Sequence, residues 1–311
     1  MNTYKLFIRQ FFYKLIKFLK KKISNPHTLH FYGAFLSFMK DYREKKESII
    51  ITGLVRAFST YLPRPFLLFS RIRKDQIDIQ ELRSLGYQKI DPLNPNEVKS
   101  LNKLFLESLS GYYGLNFKNI DHLRKYMEEN QIQRSKVVHA TPKTVAINSI
   151  VSKKILKQIS ISYLRKKPQK LNFISYIFAL AKVDHKDQES KNALVFHRDV
   201  DHFRFCKFFY FLSDCQIGGG HHEFIEKTHK KRKIRVAPNG RYELDFVLNT
   251  YNKSKVVKIF GKAGDGFVED TSGFHRGTPI EKGFRILLMI EILPNSISRD
   301  NYLPFPVTSV N

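Results

Sequence analysis

Cysteine is nearly missing from this chain: Cys206 and Cys215 are the only two. Two thiols make neither a disulfide framework nor a four-cysteine zinc site, and they fit a reducing, cytoplasmic compartment. Their plain reading is as small buried hydrophobes. Long apolar runs are missing too. No stretch approaches the roughly 18 consecutive apolar residues that a membrane-crossing helix requires. Acidic side chains are scarce, with 28 Asp and Glu against 54 Lys and Arg, and the formal net charge is +26. Such a field favours anionic partners, whether phospholipid, nucleic acid or an acidic small molecule, and does not choose among them.

The charge is unevenly spread. Residues 1–74 hold 16 Lys and Arg and 3 Asp and Glu, about half of the excess in under a quarter of the chain. The opening "MNTYKLFIRQFFYKLIKFLKKKIS" has helical periodicity. Phe7, Ile8, Phe11, Leu15, Phe18 and Leu19 fall on one side, and Lys5, Arg9, Lys17, Lys20 and Lys21 fall largely on the other. Charges interrupt the apolar run and no small-residue cleavage site follows, so the stretch does not read as a secretory signal. A basic helix of residues 1–24 suits peripheral contact with an anionic membrane, and equally suits packing on its own domain. "YLPRPF" at Tyr61–Phe66 breaks the helical character. These shifts set apart a basic, mostly helical extension over 1–75, a main domain over 76–300 and a tail over 301–311.

Beyond the boundary, Leu82–Leu85 closes a short helix and Gly86 stands where a glycine would cap it. "YQKID" then alternates like a strand. Asn94, followed by Pro95, Glu97 and an apolar-periodic run to Leu109, predicts a helix start. From about Leu171 the pattern turns to strands. "FISYIFALAKVD", "FRFCKFFYFLSDC", "KVVKIFGKAGDGFVED" and "FRILLMIEIL" are short β-rich runs broken by Gly, Asp and Asn. No helical pattern alternates regularly with them. The expectation is a mainly β domain with flanking helices, a sandwich, barrel or jelly roll, and not a parallel α/β sheet. "HKKRKIR" at His229–Arg235 is a basic insertion, either a solvated loop or a grip on an anionic substrate.

Chemistry concentrates at "VFHRDVDHFRF". The letters "HRD" also open the catalytic loop of protein kinases, which needs Asn five residues past the Asp. Arg204 stands there, and no glycine-rich loop precedes it. In a strand, residues two apart face the same way. His197 and Asp199 can therefore present an imidazole and a carboxylate to one point. His275, in "EDTSGFHRGTP", is the best second imidazole. Two His and one carboxylate on one face leave three metal positions open, the pattern of non-haem iron oxygenases. Arg285 lies ten residues further on. An antiparallel return would carry its guanidinium back beside the metal, where it could hold a carboxylate bidentately. His202, His221, His222 and His229 are nearer to Asp199 in sequence, and any one of them could take the place of His275 as a ligand, but they are read as loop or supporting residues. Thr228 and His229 could line a pocket, and Lys207 could help to hold an anionic cosubstrate.

Taken in order, "HRD", "GGGHHEFIEKTH", "GDGFVEDTSGFHRG" and "GFR" ending at Arg285 resemble the phytanoyl-CoA dioxygenase family of Fe(II)/2-oxoglutarate-dependent oxygenases. "LGYQKIDPLNPNEVKSL" is similar to that family's opening strand and helix. The resemblance spans residues 80–295 or so and leaves out 1–75. It implies a double-stranded β-helix of the cupin or jelly-roll type, with iron held by His197, Asp199 and His275 and 2-oxoglutarate anchored on Arg285. It further implies that O2 and 2-oxoglutarate are consumed, succinate and CO2 are released, and an organic substrate is hydroxylated. A retained Asp199 argues for hydroxylation, since halogenating relatives carry a small residue there. The chain departs from the family at His221 and Lys227, where proline and glycine are common. The substrate is expected to be a small molecule, a saccharide or a lipid-linked molecule. Nucleic-acid modification and a non-catalytic metal-binding module are the alternatives.

Overall fold

The computed structural model describes residues 77–139, 144–164, 172–182, 194–199, 205–230, 241–293 and 307–308, all within one compact unit. The expected amphipathic helix, the rest of the extension, His202 and the basic run Lys231–Arg235 lie outside the described residues.

The chain enters through helix α1 (Gln80–Ser84) and strand β1 (Tyr87–Ile90). Between them Gly86 takes φ +105, a conformation that side-chain-bearing residues rarely adopt. A Cβ there would also lie 2.5 Å from His229 and 2.7 Å from the Phe224 ring. Helix α2 (Pro95–Tyr113) begins at a reciprocal capping box. The Asn94 side chain accepts from the Glu97 N–H at 3.0 Å, and the Asn94 N–H donates to the Glu97 carboxylate at 2.9 Å. Its buried positions, Val98, Leu101, Phe105 and Leu109, recur at helical spacing and face the core. There follow α3 (Ile120–Glu129), β2 (Arg134–His139), α4 (Val145–Val151), α5 (Lys154–Leu164) and β3 (Asn172–Ala181). The remainder is largely β: β4 (Phe196–His197), β5 (Cys206–Phe211), β6 (His222–Ile225) and β7 (Arg241–Tyr242). After helix α6 (Leu244–Thr250) come β8 (Val256–Ile259), β9 (Gly266–Glu269), β10 (His275–Gly277), β11 (Phe284–Leu293) and β12 (Val307–Thr308).

These strands form two sheets, paired antiparallel throughout. The larger has the order β1-β9-β5-β11-β3-β2-β12, and the smaller β7-β4-β10-β6-β8. The mainly β expectation therefore holds, and a parallel sheet is absent among the described residues. Strand β12 belongs to the segment set apart as a tail, yet it extends the larger sheet by pairing Val307 with Lys136.

Alternation sorts the larger sheet into two faces. Phe208, Tyr210, Val268, Ile286, Leu288, Ile290 and Ile292 point outward and pack with Leu101, Phe105, Ile150, Leu156 and Ile159 of the helices. Each such buried side chain contributes roughly 1.5–3 kcal/mol. Both cysteines are buried, as the plain reading has it. The inward face carries Phe209, Phe211, Phe267 and Leu287, which meet Phe224 and Ile259 of the smaller sheet. The chamber between the sheets is thus apolar in part. Its polar remainder is the site described next. No described helix is long and apolar enough to cross a membrane.

Candidate metal centre

Strand pairing brings distant histidines together. His275 of β10 pairs directly with His197 of β4, so both rings enter the chamber from the same side of the smaller sheet, with centroids 4.3 Å apart. Asp199 lies just past the end of β4, where its N–H donates to the Thr271 carbonyl at 2.8 Å. Its carboxylate is 3.9 Å from Nε2 of His197 and 3.6 Å from Nε2 of His275. Donor atoms of the three residues lie within 4.8 Å of one another.

The rings are oriented for ligation. Nδ1 of His197 lies 3.0 Å from the Val195 carbonyl, and Nδ1 of His275 lies 3.1 Å from the Gly273 carbonyl. An N–H at each Nδ1 satisfies those carbonyls and leaves a lone pair on Nε2, the atom aimed at Asp199. Burial, reinforced by His275, pushes His197 down to about 3, so its imidazole is neutral at ordinary pH. Burial alone would raise Asp199. The Lys207 ammonium and the two imidazoles outweigh it and hold the carboxylate well below the usual range. Two imidazoles and an ionised carboxylate on one side of a point are a donor set that fits a divalent transition metal.

Arg285 arrives as the antiparallel return requires. It begins β11, is 2% exposed, and donates through Nη1 to the Gly220 carbonyl. Its Nε is buried without a hydrogen-bond partner. Gly277 lies against it: a Cβ at that position would be 3.4 Å from Nη2, an ordinary contact. Gly277 is two residues along β10 from His275, roughly 7 Å at strand spacing. Burial lowers Arg285 to about 10, which leaves it a cation.

Lys207 lies beside Asp199. Its Nζ donates to Oδ2 of Asp199 at 2.6 Å and lies 3.9 Å from Glu291. Arg198, the spacer between the two ligand candidates, is not idle. It is buried, and its Nε donates to the Ser272 carbonyl at 2.7 Å, tying the segment after β4 to the turn before β10. His229 and Thr228 serve the turn after β6. Nε2 of His229 lies 3.1 Å from the Arg83 carbonyl, and the Thr228 hydroxyl accepts the Phe274 N–H at 2.8 Å. His221 contacts Thr278 and Glu223.

Two polar groupings escaped the sequence reading, the first being the pairing of His222, there read as a loop or supporting residue, with Glu269. His222 points into the chamber, 5.7 Å from His275 between ring centroids, and its Nε2 is 2.7 Å from Glu269. Burial pushes Glu269 up to about 8 and His222 down to about 3, so the pair is largely uncharged at neutral pH. The second feature is the inward-facing set Arg134, Lys136 and Arg241. Only the alternation of "RSKVVH" and "RY" could have signalled their direction. A separate groove along α2, bordered by Leu93, Val98, Leu106 and Phe117, shares no residue with this centre.

No protein-family profile and no curated protein sequence matches the chain. Solved structures do. EctD from S. alaskensis, crystallised with 2-oxoglutarate and 5-hydroxyectoine, is 13% identical and superposes with a TM-score of 0.50 over 72% of this chain and 80% of that one. The likeness is one of fold. The non-heme alpha ketoglutarate dependent carbocyclase SnoK from nogalamycin biosynthesis is 14% identical, with a TM-score of 0.47 over 76% of this chain and 95% of that one. AviO1 from Streptomyces viridochromogenes Tue57 is 14% identical, with a TM-score of 0.46 over 72% and 96%. At such identity the chemistry rests on the residues themselves.

Proposed function

We propose that the chain is an Fe(II)/2-oxoglutarate-dependent oxygenase with a double-stranded β-helix core, related to the phytanoyl-CoA dioxygenases, that hydroxylates a small or lipid-linked organic molecule. The observation that carries this reading is the meeting of His197, Asp199 and His275 beside a buried arginine. His197, Asp199 and His275 would hold the iron, and the Arg285 guanidinium would hold the far carboxylate of 2-oxoglutarate. EctD, whose fold the chain shares, was crystallised with that cosubstrate.

Bound Fe(II) with 2-oxoglutarate and O2 would supply oxidation of a C–H bond, coupled to release of succinate and CO2. The protein's own part is positioning and shielding. The Val195 and Gly273 carbonyls fix the two imidazole planes. Lys207 neutralises the Asp199 oxygen that it contacts and leaves the other free to ligate. Gly277 places no side chain beside Arg285, where the carboxylate would bind. Phe209, Phe211 and Phe267 line one side of the chamber and exclude water from it. Asp199 fills a position that a halide would otherwise need, which favours hydroxylation over halogenation.

Calorimetry under anaerobic conditions tests the reading. Fe(II) should bind, and 2-oxoglutarate should bind only after it. Admitting O2 should then release succinate slowly even without substrate. Arg285→Ala should weaken 2-oxoglutarate binding about 30-fold or more, the scale of a lost buried charge pair. Metal-independent 2-oxoglutarate binding, or wild-type affinity in Arg285→Ala, would overturn it.

A further inference from the structure

The helices carry a hollow that the proposed chemistry does not use. It is a groove of about 1160 Å³ between α2 and the segment joining α2 to α3. Small-molecule pockets run to roughly 300–1,000 Å³, so this groove lies beyond their usual upper end. Along α2 it is lined by Pro95, Val98, Asn102, Leu106 and Ser110, spacings of three and four that keep to one stripe of the helix. From Pro95 to Ser110 a helix rises about 22 Å, the length of roughly four turns. The floor is apolar, formed by the buried Leu93, Phe117 and Leu212.

The walls are fixed before anything docks. Nδ2 of Asn102 donates to the Leu212 carbonyl at 2.9 Å, and the Leu93 N–H donates to the Gly264 carbonyl at 2.9 Å, which ties this side to the ends of β5 and β9. On the other side the Ser110 hydroxyl accepts the Phe117 N–H at 3.0 Å, and the Asn119 side chain accepts the His122 N–H at 2.8 Å. The Phe117 ring meets Tyr113 and Tyr126 edge-on, with centroids 5.9 and 5.3 Å away. A pre-formed groove removes the ordering cost of docking. The wall also sets the form of the occupant. The backbone of α2 is hydrogen-bonded within the helix and offers no ladder edge. An extended peptide would bury its own N–H and C=O groups there unpaired, whereas a helix satisfies them internally. Charge sets the chemistry. Lys99 and Lys103 on one wall and Lys118 on the other are exposed, against one lining carboxylate, Glu107, which lies 3.8 Å from Lys103. The chain's own opening segment is no match for them, since residues 1–24 contain no Asp or Glu.

We propose that the groove along α2 docks an acidic amphipathic helix of a partner protein, about four turns long. Its apolar stripe lies on Val98, Leu106 and Phe117, and the Asp and Glu beside that stripe meet Lys99, Lys103 and Lys118. The lysines set orientation and association rate, and the apolar floor supplies most of the affinity. The groove shares no residue with the metal centre, so the docking surface stands whether or not the chain is an oxygenase.

The test is a selection on the full-length chain from a displayed library of helical peptides, about 16 residues long, with an apolar stripe at i, i+3, i+4 and i+7 and randomised flanks. Enriched sequences should carry Asp and Glu on the flanks. Their affinity is then read by fluorescence anisotropy at near-physiological salt. Ala263→Glu, a change at an exposed lining residue, should weaken binding about tenfold or more, and so should the double variant Lys99→Glu/Lys118→Glu. Lys157→Glu/Lys253→Glu makes the same change of charge at exposed positions outside the groove and should bind as the wild type does. Scrambling the apolar stripe at constant composition should cost about tenfold as well. Near-UV circular dichroism of each variant confirms the fold. Equal losses in the two double variants would reduce the contact to bulk charge and overturn the proposal. So would wild-type affinity in Ala263→Glu, flanks selected without acidic bias, or a library that yields no binder. Binding to phosphatidylglycerol vesicles that Ala263→Glu abolishes, with no peptide enriched, would overturn it in favour of a lipid surface.

Discussion

The two sheets divide the work of the molecule. The larger one is built on two ten-residue strands, β3 and β11, paired along their whole length. Its outer face is covered by helices and is largely apolar. The smaller sheet has strands of two to four residues, and it supplies His197, His275, His222 and Arg241 to the chamber. Short strands with few ladder bonds hold little by themselves, so these side chains depend on the larger sheet for a rigid wall. The lesson is a separation of roles. The sheet with the most burial carries the fold, and the sheet with the least carries most of the reactive groups.

That separation can be broken experimentally. The largest effect is expected at the metal centre. Asp199→Ala should weaken Fe(II) binding by more than ~100-fold, beyond what loss of a mere supporting partner does. Its melting temperature should stay near that of the wild type. A titration and a melt on the same sample would decide, and a collapse of stability would show that the two sheets are not separable in this way. Phe208→Ala is the converse. It empties a fully buried site under the helices and should cost about 3–5 kcal/mol by chemical denaturation. Fe(II) affinity of the molecules still folded should be unchanged.

The chamber's carboxylates sharpen the contrast. Burial raises Glu269 to about 8 from its ordinary 4.5, so the fold favours the protonated acid. The contribution of Glu269 to the stability of the metal-free chain is therefore fully present below pH 4.5 and is lost as pH rises through about 8. Glu269→Gln should abolish most of that decline, a difference on the order of 4 kcal/mol between pH 5 and 9. Parallel slopes in the two proteins would show that Glu269 is not its source. The smallest change is expected at the edge of the fold. Asn94→Ala removes the cap of α2 and should cost about 1 kcal/mol, measured by urea denaturation, with metal affinity untouched.

Much of this arrangement is visible in the sequence, for local reasons. Asn94, Pro95 and Glu97 encode a helix start through contacts three residues apart, and the capping box forms as they imply. Gly86 marks a chain reversal because its φ excludes most other residues. His197 and Asp199 are close in sequence, so their convergence needs little beyond an extended segment. Arg285 follows from the antiparallel return. What stayed hidden depends on strands meeting across the chamber. His222 and Glu269 belong to opposite sheets, and no spacing rule joins them. Arg134 and Lys136 sit in a strand that the sequence did not announce, and only their register with β3 shows that they face inward. The contact of Lys207 with Asp199 likewise depends on geometry between strands.

The pairing of His275 with His197 has a consequence for the order of folding. These residues lie far apart in the chain, and the smaller sheet must close before they meet. Such a non-local contact forms late, after its loop-closure entropy has been overcome. An unfolded or half-folded chain thus has no triad to offer, and a metal captured there would favour the closed pair of sheets by mass action. The same short ladder that assembles the centre would then be clamped by what the centre holds.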